Sequence, residues 1–318
     1  MQTFPLASVI IPSYNSPDIY ATLDSVLMQD YPRIQLILID DCSAQFPKEE
    51  VTAYIARHSG ENLVRWQVLV NPENLGTVRT MNTALGLCEG DYIFNLASDD
   101  CFYDERVLSD WVAEFIRTGA PVITAYRKLY DSLLQTPLHI EPSPEQVCAI
   151  QSDTPMQLFE RLAKSNFIFG CCTARTAACV REYGFYDERF RLVEDHPMAL
   201  KLLRLGVGIA FFDRIVIKYR GGGISSPEKY NAVYAQDVDN ILKYEVIPHT
   251  AHPARMHWAY RQWKRDQKLL RRRAQALQRY GTNKVLRLLI HLWYYLHHPY
   301  RTICKLPAFL RKRSKENL

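Results

Sequence analysis

No apolar run in this sequence reaches the roughly 18–20 residues a helix needs to cross a bilayer. Neither GxGxxG nor GxxxxGKS/T occurs, so the usual dinucleotide and P-loop phosphate cradles are absent. A nucleotide, if bound, must be held by aromatic stacking, a carboxylate for the base and a metal for the phosphates. The eight cysteines include no CxxC, and the adjacent Cys171-Cys172 lacks zinc-ligand spacing. No secretory leader is expected either, because the apolar run after Met1 is short and carries Pro5 and Pro12. Reduced thiols in a cytoplasmic protein are the simplest account.

What is present is a globular composition: 318 residues, 47% hydrophobic and 12% aromatic. That length suits one large α/β domain with an appendage. The net charge of +5 hides a division. Residues 251–318 hold 17 Lys/Arg against 2 Asp/Glu, a local charge of +15, which leaves −10 on the first 250 residues. An acidic body with a basic tail points to an anionic partner for the tail. A membrane surface is expected rather than nucleic acid, since no nucleic-acid-binding motif is recognisable.

Apolar strands are predicted over Leu6–Ile11, Gln35–Ile39, Val64–Val70 and Tyr92–Phe94, each ended by polar residues. Helices are expected between them. Ser16-Pro17-Asp18 opens the first, with Ile19, Leu23, Val26 and Leu27 on one face. The second spans about Lys48 to Arg57, and the third runs from Asn74-Leu75-Gly76-Thr77 to about Leu87. This β-α alternation implies right-handed crossovers and a largely parallel sheet. It brings Tyr14, Asp41, Asn74 and Asp99 toward one edge, where open α/β sheets collect their ligands. Further on, Thr136–Pro144 reads as a proline-rich loop, Pro155–Lys164 as a helix, and Phe167–Thr173 as a strand or buried turn. Gly208–Phe212 and Ile215–Tyr219 read as two strands, and Arg220–Pro227 as a flexible basic loop. After about residue 228 the chain turns to long helices: an arginine-rich segment to Tyr280, then the apolar dodecamer Val285–Leu296 with Trp293, Tyr294 and Tyr295. Twelve residues are too few to span hydrocarbon, but basic and aromatic neighbours suit an interfacial segment. A helix packed on the body is the alternative.

Two acidic pairs carry the chemistry. Asp99-Asp100 stands where the fourth strand should end. Neighbouring carboxylates need a cation or strong donors, and a hard divalent ion bearing a diphosphate fits. The same pair could instead cap a helix before Tyr103-Asp104-Glu105. Glu194-Asp195 precedes the helical Met198–Leu205 and invites the same two readings.

In this order and spacing the motifs resemble the inverting family 2 glycosyltransferases, over about residues 6–225. Val9–Asn15, with Pro12, Tyr14 and Asn15, looks like the family's opening strand and nucleotide-contacting turn. Ile39-Asp40-Asp41-Cys42-Ser43 is similar to its second-strand motif, in which the second aspartate reads the uracil. Asn74-x-Gly76 with Asn82 matches the loop and helix before the metal strand. Asp99-Asp100 takes the place of the DxD motif, and Glu194-Asp195 that of the catalytic acidic pair. Tyr219-Arg220 and the following glycines are similar to the closing loop. Two departures stand out: Ala97 occupies the first aspartate position of Asp-x-Asp-Asp, and Met81 stands where an arginine often precedes Asn82.

The resemblance implies a GT-A catalytic domain over 1–227, with a mixed, mostly parallel sheet, and a helical extension over 228–318. It further implies a UDP-sugar donor, a Mn2+ or Mg2+ ion on Asp99 and Asp100, and Asp195 as the base with Glu194 beside it. Tyr14 would stack on the nucleotide, with Arg220 among the donor contacts. The expected acceptor is a glycan or lipid-linked glycan, at the inner face of the cell membrane. A sugar-phosphate nucleotidyltransferase is a competing class, but Pro12–Ser16 lacks the glycine-rich basic loop a triphosphate needs. A non-catalytic scaffold with the same fold is the other.

Overall fold

Two apolar runs in the first part of the chain form strands buried along almost their whole length, because strands covered by helices on both faces need no polar side. In the computed structural model, which describes residues 4–16, 18–221, 231–280, 283, 285–287 and 289–291, these are β1 (Ala7–Ser13) and β2 (Ile34–Asp40). Helix α1 (Ile19–Leu27) connects them, and α2 (Lys48–His58) leads to β3 (Leu63–Val70). Helix α3 (Thr77–Leu85) then leads to β4 (Tyr92–Asn95). The four strands lie parallel in the order β3-β2-β1-β4, with their carboxyl ends along one edge. Pro12 is tolerated in β1 because the pairing with β4 stops at Ile10, so its missing N–H leaves no gap in that ladder.

The sheet continues with β5 (Cys101–Phe102), α4 (Val107–Thr118), β6 (Val122–Tyr130) and β7 (Pro137–Glu141). Helices α5 (Pro144–Ser152) and α6 (Pro155–Leu162) each start with a capping box, Ser143 with Gln146 and Thr154 with Gln157. After the tight turn Gly170–Cys172 come β8 (Thr173–Thr176), α7 (Ala177–Tyr183), α8 (Asp195–Arg204) and β9 (Ala210–Arg220). The full order is β3-β2-β1-β4-β8-β6-β9-β5, with β7 paired to β6. Only β5, β7 and β8 run against the rest, so the sheet is mixed and mostly parallel, as expected.

Two expectations are corrected. Thr136–Pro144 contains a strand, β7; it lies off the main path and pairs only with β6, where proline is accommodated. The two strands expected over 208–219 are one, β9, whose register against β6 shifts near Tyr126. The strand-or-turn segment Phe167–Thr173 resolves as a turn over Gly170–Cys172.

Helices α1, α2 and α4 cover one face of the sheet around Leu23, Val51 and Trp111. Helices α3, α5, α6, α7 and α8 cover the other around Phe159, Leu200 and Leu203. That second core also takes Ile241, Val246 and Met256, which follow α9 (Ala232–Asn240) and open α10 (Pro253–Tyr280). Among the described residues no helix is long and apolar enough to cross a membrane.

Candidate active site

At the carboxyl edge the turn after β1 exposes Tyr14, 52% accessible, and places Asn15 at φ 49°. The Asn15 backbone N–H donates to Ser43 Oγ at 2.7 Å. The turn after β2 is closed by Asp40, which accepts from Ser43 N at 2.7 Å and Ser43 Oγ at 2.6 Å. Asp41 is turned inward: its carboxylate accepts from Asn71 Nδ2 (2.9 Å), Leu75 N (2.8 Å) and Gly76 N (2.8 Å). Asp41 thus fixes the loop before α3. Gly76 has φ +84°, and a Cβ there would lie 2.7 Å from the Arg191 carbonyl oxygen, so glycine is required twice over.

The pair Asp99-Asp100 does not cap a helix, since β5 follows it directly and α4 begins only at Val107. Ser16, expected to cap α1, instead donates its hydroxyl to the Ser98 carbonyl at 2.8 Å and docks the first loop on the acidic turn; Pro17 lies outside the described residues. Asp100 is 1% exposed. Its Oδ1 accepts from Arg220 N at 2.8 Å, while Oδ2 is buried without a partner. Burial, then the neighbouring Cys171 and Asp99, hold the Asp100 carboxyl well above the usual range; burial raises Asp99 as well. A buried orphan carboxylate oxygen beside a second acid fits a hard cation. Among the described residues no group of three His, Cys, Asp or Glu side chains could hold a metal. The remaining positions would fall to water and phosphate, as Mg2+ accepts.

Arg220, expected at the donor, is already bound within the protein. Its Nε donates to the Asp99 carbonyl at 3.0 Å, and Nη1 reaches Ser132 O at 2.6 Å and Asp18 at 3.0 Å. The glycines after Gly221 and Ile224, Ser225 lie outside the described residues.

Glu194 and Asp195 sit at the start of α8, as predicted, yet neither makes the usual cap; the Glu194 side chain accepts no capping hydrogen bond. Asp195 Oδ2 accepts from Gly170 N at 3.0 Å and Asn166 Nδ2 at 3.3 Å, and Oδ1 from His196 N at 2.6 Å. A Cβ at Gly170 would lie 2.7 Å from Glu194 Oε1 and 3.2 Å from Asp195 Cβ, so a side chain there would displace the Glu194 carboxyl. Burial first, then the charge of Asp195, push Glu194 up to about 8, so it keeps its proton at neutral pH. The folded state therefore loses stability as pH rises from the usual 4.5 toward about 8. Glu194→Gln should therefore raise the Tm relative to wild type at pH 8.5 and change it little at pH 4.5. Thermal unfolding across pH checks this, and an equal shift at both ends contradicts it.

Several working residues escaped the sequence reading. Arg191 donates to Asn74 O at 2.8 Å and Asn74 Oδ1 at 2.7 Å, tying the Asn74–Gly76 loop to the segment before Glu194. Asp237 on α9 accepts from the backbone N–H of Arg191, Leu192 and Val193, at 2.6–3.1 Å. Asn82, expected at the ligand, exchanges hydrogen bonds of 2.9 Å with both the N–H and carbonyl of Tyr186. Both ends of its amide are thereby committed to the fold. Met81 is buried in the core. These contacts join elements more than 40 residues apart, and no local pattern marks them.

A mixed, mostly parallel sheet flanked by helices, with an acidic turn at its carboxyl edge and a second acidic pair at the start of an adjoining helix, has the GT-A architecture. Solved structures share the fold. Staphylococcus aureus TarS 1–349 in complex with UDP-GlcNAc aligns over 93% of this chain and 92% of its own, with TM-score 0.61 and 16% identity. The mannosyltransferase PcManGT of Pyrobaculum calidifontis, in complex with GDP-Man and Mn2+, aligns over 99% and 88%, with TM-score 0.61 and 17% identity. The family model for glycosyl transferase family 2 matches residues 8–184, and the chain belongs to that family. It is a glycosyltransferase. A putative teichuronic acid biosynthesis glycosyltransferase of Bacillus subtilis, TuaG, is 38% identical over 104 residues, 32% of this chain and 39% of TuaG.

Proposed function

We propose that the protein transfers a sugar from a UDP-sugar to an acceptor hydroxyl with inversion, in assembly of a bacterial surface polysaccharide. The observation that carries this reading is the buried, unpartnered Oδ2 of Asp100 beside Asp99, at the sheet edge where nucleotides bind. Asp99 and Asp100 would hold Mn2+ or Mg2+, which supplies Lewis acidity for the departing diphosphate. Tyr14, exposed beside the Asp40–Ser43 turn, offers its ring to the base. Pro12, Asn15, Asp41, Asn74 and Gly76 shape the nucleotide side; Asn82 and Arg220 act by holding that side in place.

Asp195 takes the acceptor proton, and its three donors fix the direction of its lone pairs. Inversion requires such a base on the face opposite the leaving group. Glu194, protonated at neutral pH, can donate a hydrogen bond to the acceptor or to Asp195. The TarS complex supports a UDP donor, and the TuaG likeness a polysaccharide product. PcManGT holds GDP-Man, so GDP-sugars belong in the test. Hydrolysis and transfer with added Mn2+ should release a nucleoside diphosphate; no release from any donor would favour the scaffold reading.

A membrane-facing role for the C-terminal region rests on α10, with nine Lys/Arg against one Asp and an exposed Trp258. Val285 and Leu289 are also exposed, whereas Trp293 and the basic end lie outside the described residues. Basic side chains near an anionic surface contribute about 1 kcal/mol each and are screened by salt. The full chain should co-sediment with anionic vesicles, less so in salt, and a chain ending at Gly281 or carrying Leu289→Glu/Trp293→Glu should bind more weakly. Equal binding by all three would mean the segment folds against the body.

A further inference from the structure

Arg175 lies in the middle of the sheet, on β8 between Val122 of β6 and Ile93 of β4. It is 4% exposed, and its guanidinium lies over the Tyr186 ring at 4.5 Å. Among the described residues no carboxylate pairs with it and no side chain or carbonyl accepts a hydrogen bond from it; Nη2 is buried without a partner. A guanidinium taken out of water in this way is strongly unfavourable unless something compensates it.

The compensation lies across a cavity of about 30 Å3, walled by Arg175, Asn95, Thr173, Gly170, Tyr186 and Asp195. A space of this size holds about two water molecules. Asn95 donates to the Tyr186 hydroxyl at 2.9 Å and leaves its buried Oδ1 unpartnered. One water can donate to that oxygen while accepting from Arg175, and a second can reach Asp195. The apolar remainder of the wall, from Ile168 and Leu202, offers no competing polar group.

The other groups facing the acidic pair carry no positive charge near neutral pH. Burial lowers His196, whose Nε2 bonds the Leu162 carbonyl, and it raises Tyr186 and Tyr234. Around Arg175, burial raises the Cys179 thiol and pushes Cys88 up to about 12. Asp237 is engaged by the 191–193 backbone. Arg175 is therefore the fixed cation of this wall.

We propose that Arg175 is a positioning residue for sugar transfer, the cation that faces the Glu194-Asp195 pair through water held in the shared cavity and fixes the orientation of Asp195. This rests on the reading of Asp195 as the base. The test is titration by carboxyl 13C NMR of Asp/Glu-labelled full-length protein, with signals assigned by Asp195→Asn and Glu194→Gln. Removing a cation raises the midpoints of nearby carboxylates, so Arg175→Met should move that of Glu194 up by about one pH unit, a tenfold change. Arg175→Lys should restore most of it. Asn95→Leu leaves Arg175 in place but fills the water space, and should shift that midpoint in the same direction; it decides the matter if Arg175→Met does not fold. A Glu194 midpoint unmoved in folded Arg175→Met, or in Asn95→Leu where that variant decides, would make Arg175 a packing residue and overturn the proposal. The titration needs no substrate, so its failure is separable from a failure of the transfer reading, which shows instead as full activity in Asp195→Asn.

Discussion

Asp195→Asn should lower kcat by roughly 10²–10⁴-fold, the usual range for loss of a general base, while donor binding stays within about twofold. The geometry makes this a sharp expectation. Asn166 Nδ2, Gly170 N and His196 N all donate to the Asp195 carboxylate, so its orientation is fixed before substrate arrives. Asparagine keeps the size and one acceptor oxygen but puts an N–H₂ where one of these donors points. The lost basicity should therefore appear in kcat, with a modest fall in stability. Isothermal titration with the donor, run beside steady-state kinetics, separates the two effects. Collapse of donor binding with chemistry spared would make Asp195 a structural neighbour of the nucleotide site.

The second large effect is expected at the acidic turn. Asp99→Asn/Asp100→Asn should abolish transfer, and excess chelator should do the same to the wild type. A Lewis acid on the leaving diphosphate contributes several kcal/mol, on the order of a thousandfold or more in rate. The fold should survive the substitution. Asp100 is held well above its usual range by burial, so replacing it removes a group whose ionisation the folded state opposes. Its Oδ1 contact with Arg220 N can be kept by the amide oxygen of asparagine. The double variant should thus melt no lower than wild type near pH 8 while failing to turn over. Full activity in chelator would leave the pair as an anchor for the end of β9 and nothing more.

How far the sequence foretold this depends on how local each signal is. The first four strands were legible because each is a short apolar run ended by polar residues, and parallel pairing then places Tyr14, Asp41, Asn74 and Asp99 on one edge. Both acidic pairs were legible as adjacent letters. Their settings were not: whether Asp99-Asp100 caps a helix depends on β5 pairing with β9, more than 100 residues away. The strand β7 was hidden by Pro137 and by Pro142 and Pro144 just after it, which suggest a loop unless its place off the main sheet path is known. Asn82 was expected at the ligand from its place in the family resemblance alone; its partner Tyr186 is 104 residues distant, so nothing local showed that its amide serves the fold. Arg191, Asp237 and Arg175 carried no signal at all, since isolated charged residues read as solvated surface until burial is seen.

The same contacts explain how the two sides of the site stay in register. Asp41 holds the backbone of Leu75 and Gly76, Arg191 holds Asn74, and Asp237 holds the backbone of Arg191 to Val193 just ahead of Glu194. The sheet edge that carries Asp41 and the Glu194-Asp195 pair are therefore joined by hydrogen bonds through one short loop. Asp237 lies beyond residue 227, so the packed catalytic body draws on the first part of the C-terminal region.

The most direct measurement is a thermal-shift screen of nucleoside diphosphates and their sugars, with and without Mn2+, on wild type and on Asp99→Asn/Asp100→Asn. A ligand that binds only the folded state raises the melting temperature by mass action. The expected result is a rise for UDP and one or more UDP-sugars in the wild type, larger with Mn2+, with the Mn2+-dependent part lost in the variant. No rise with any nucleotide in either condition, or a rise that the double variant keeps in full with Mn2+, would contradict a metal-held donor at this edge.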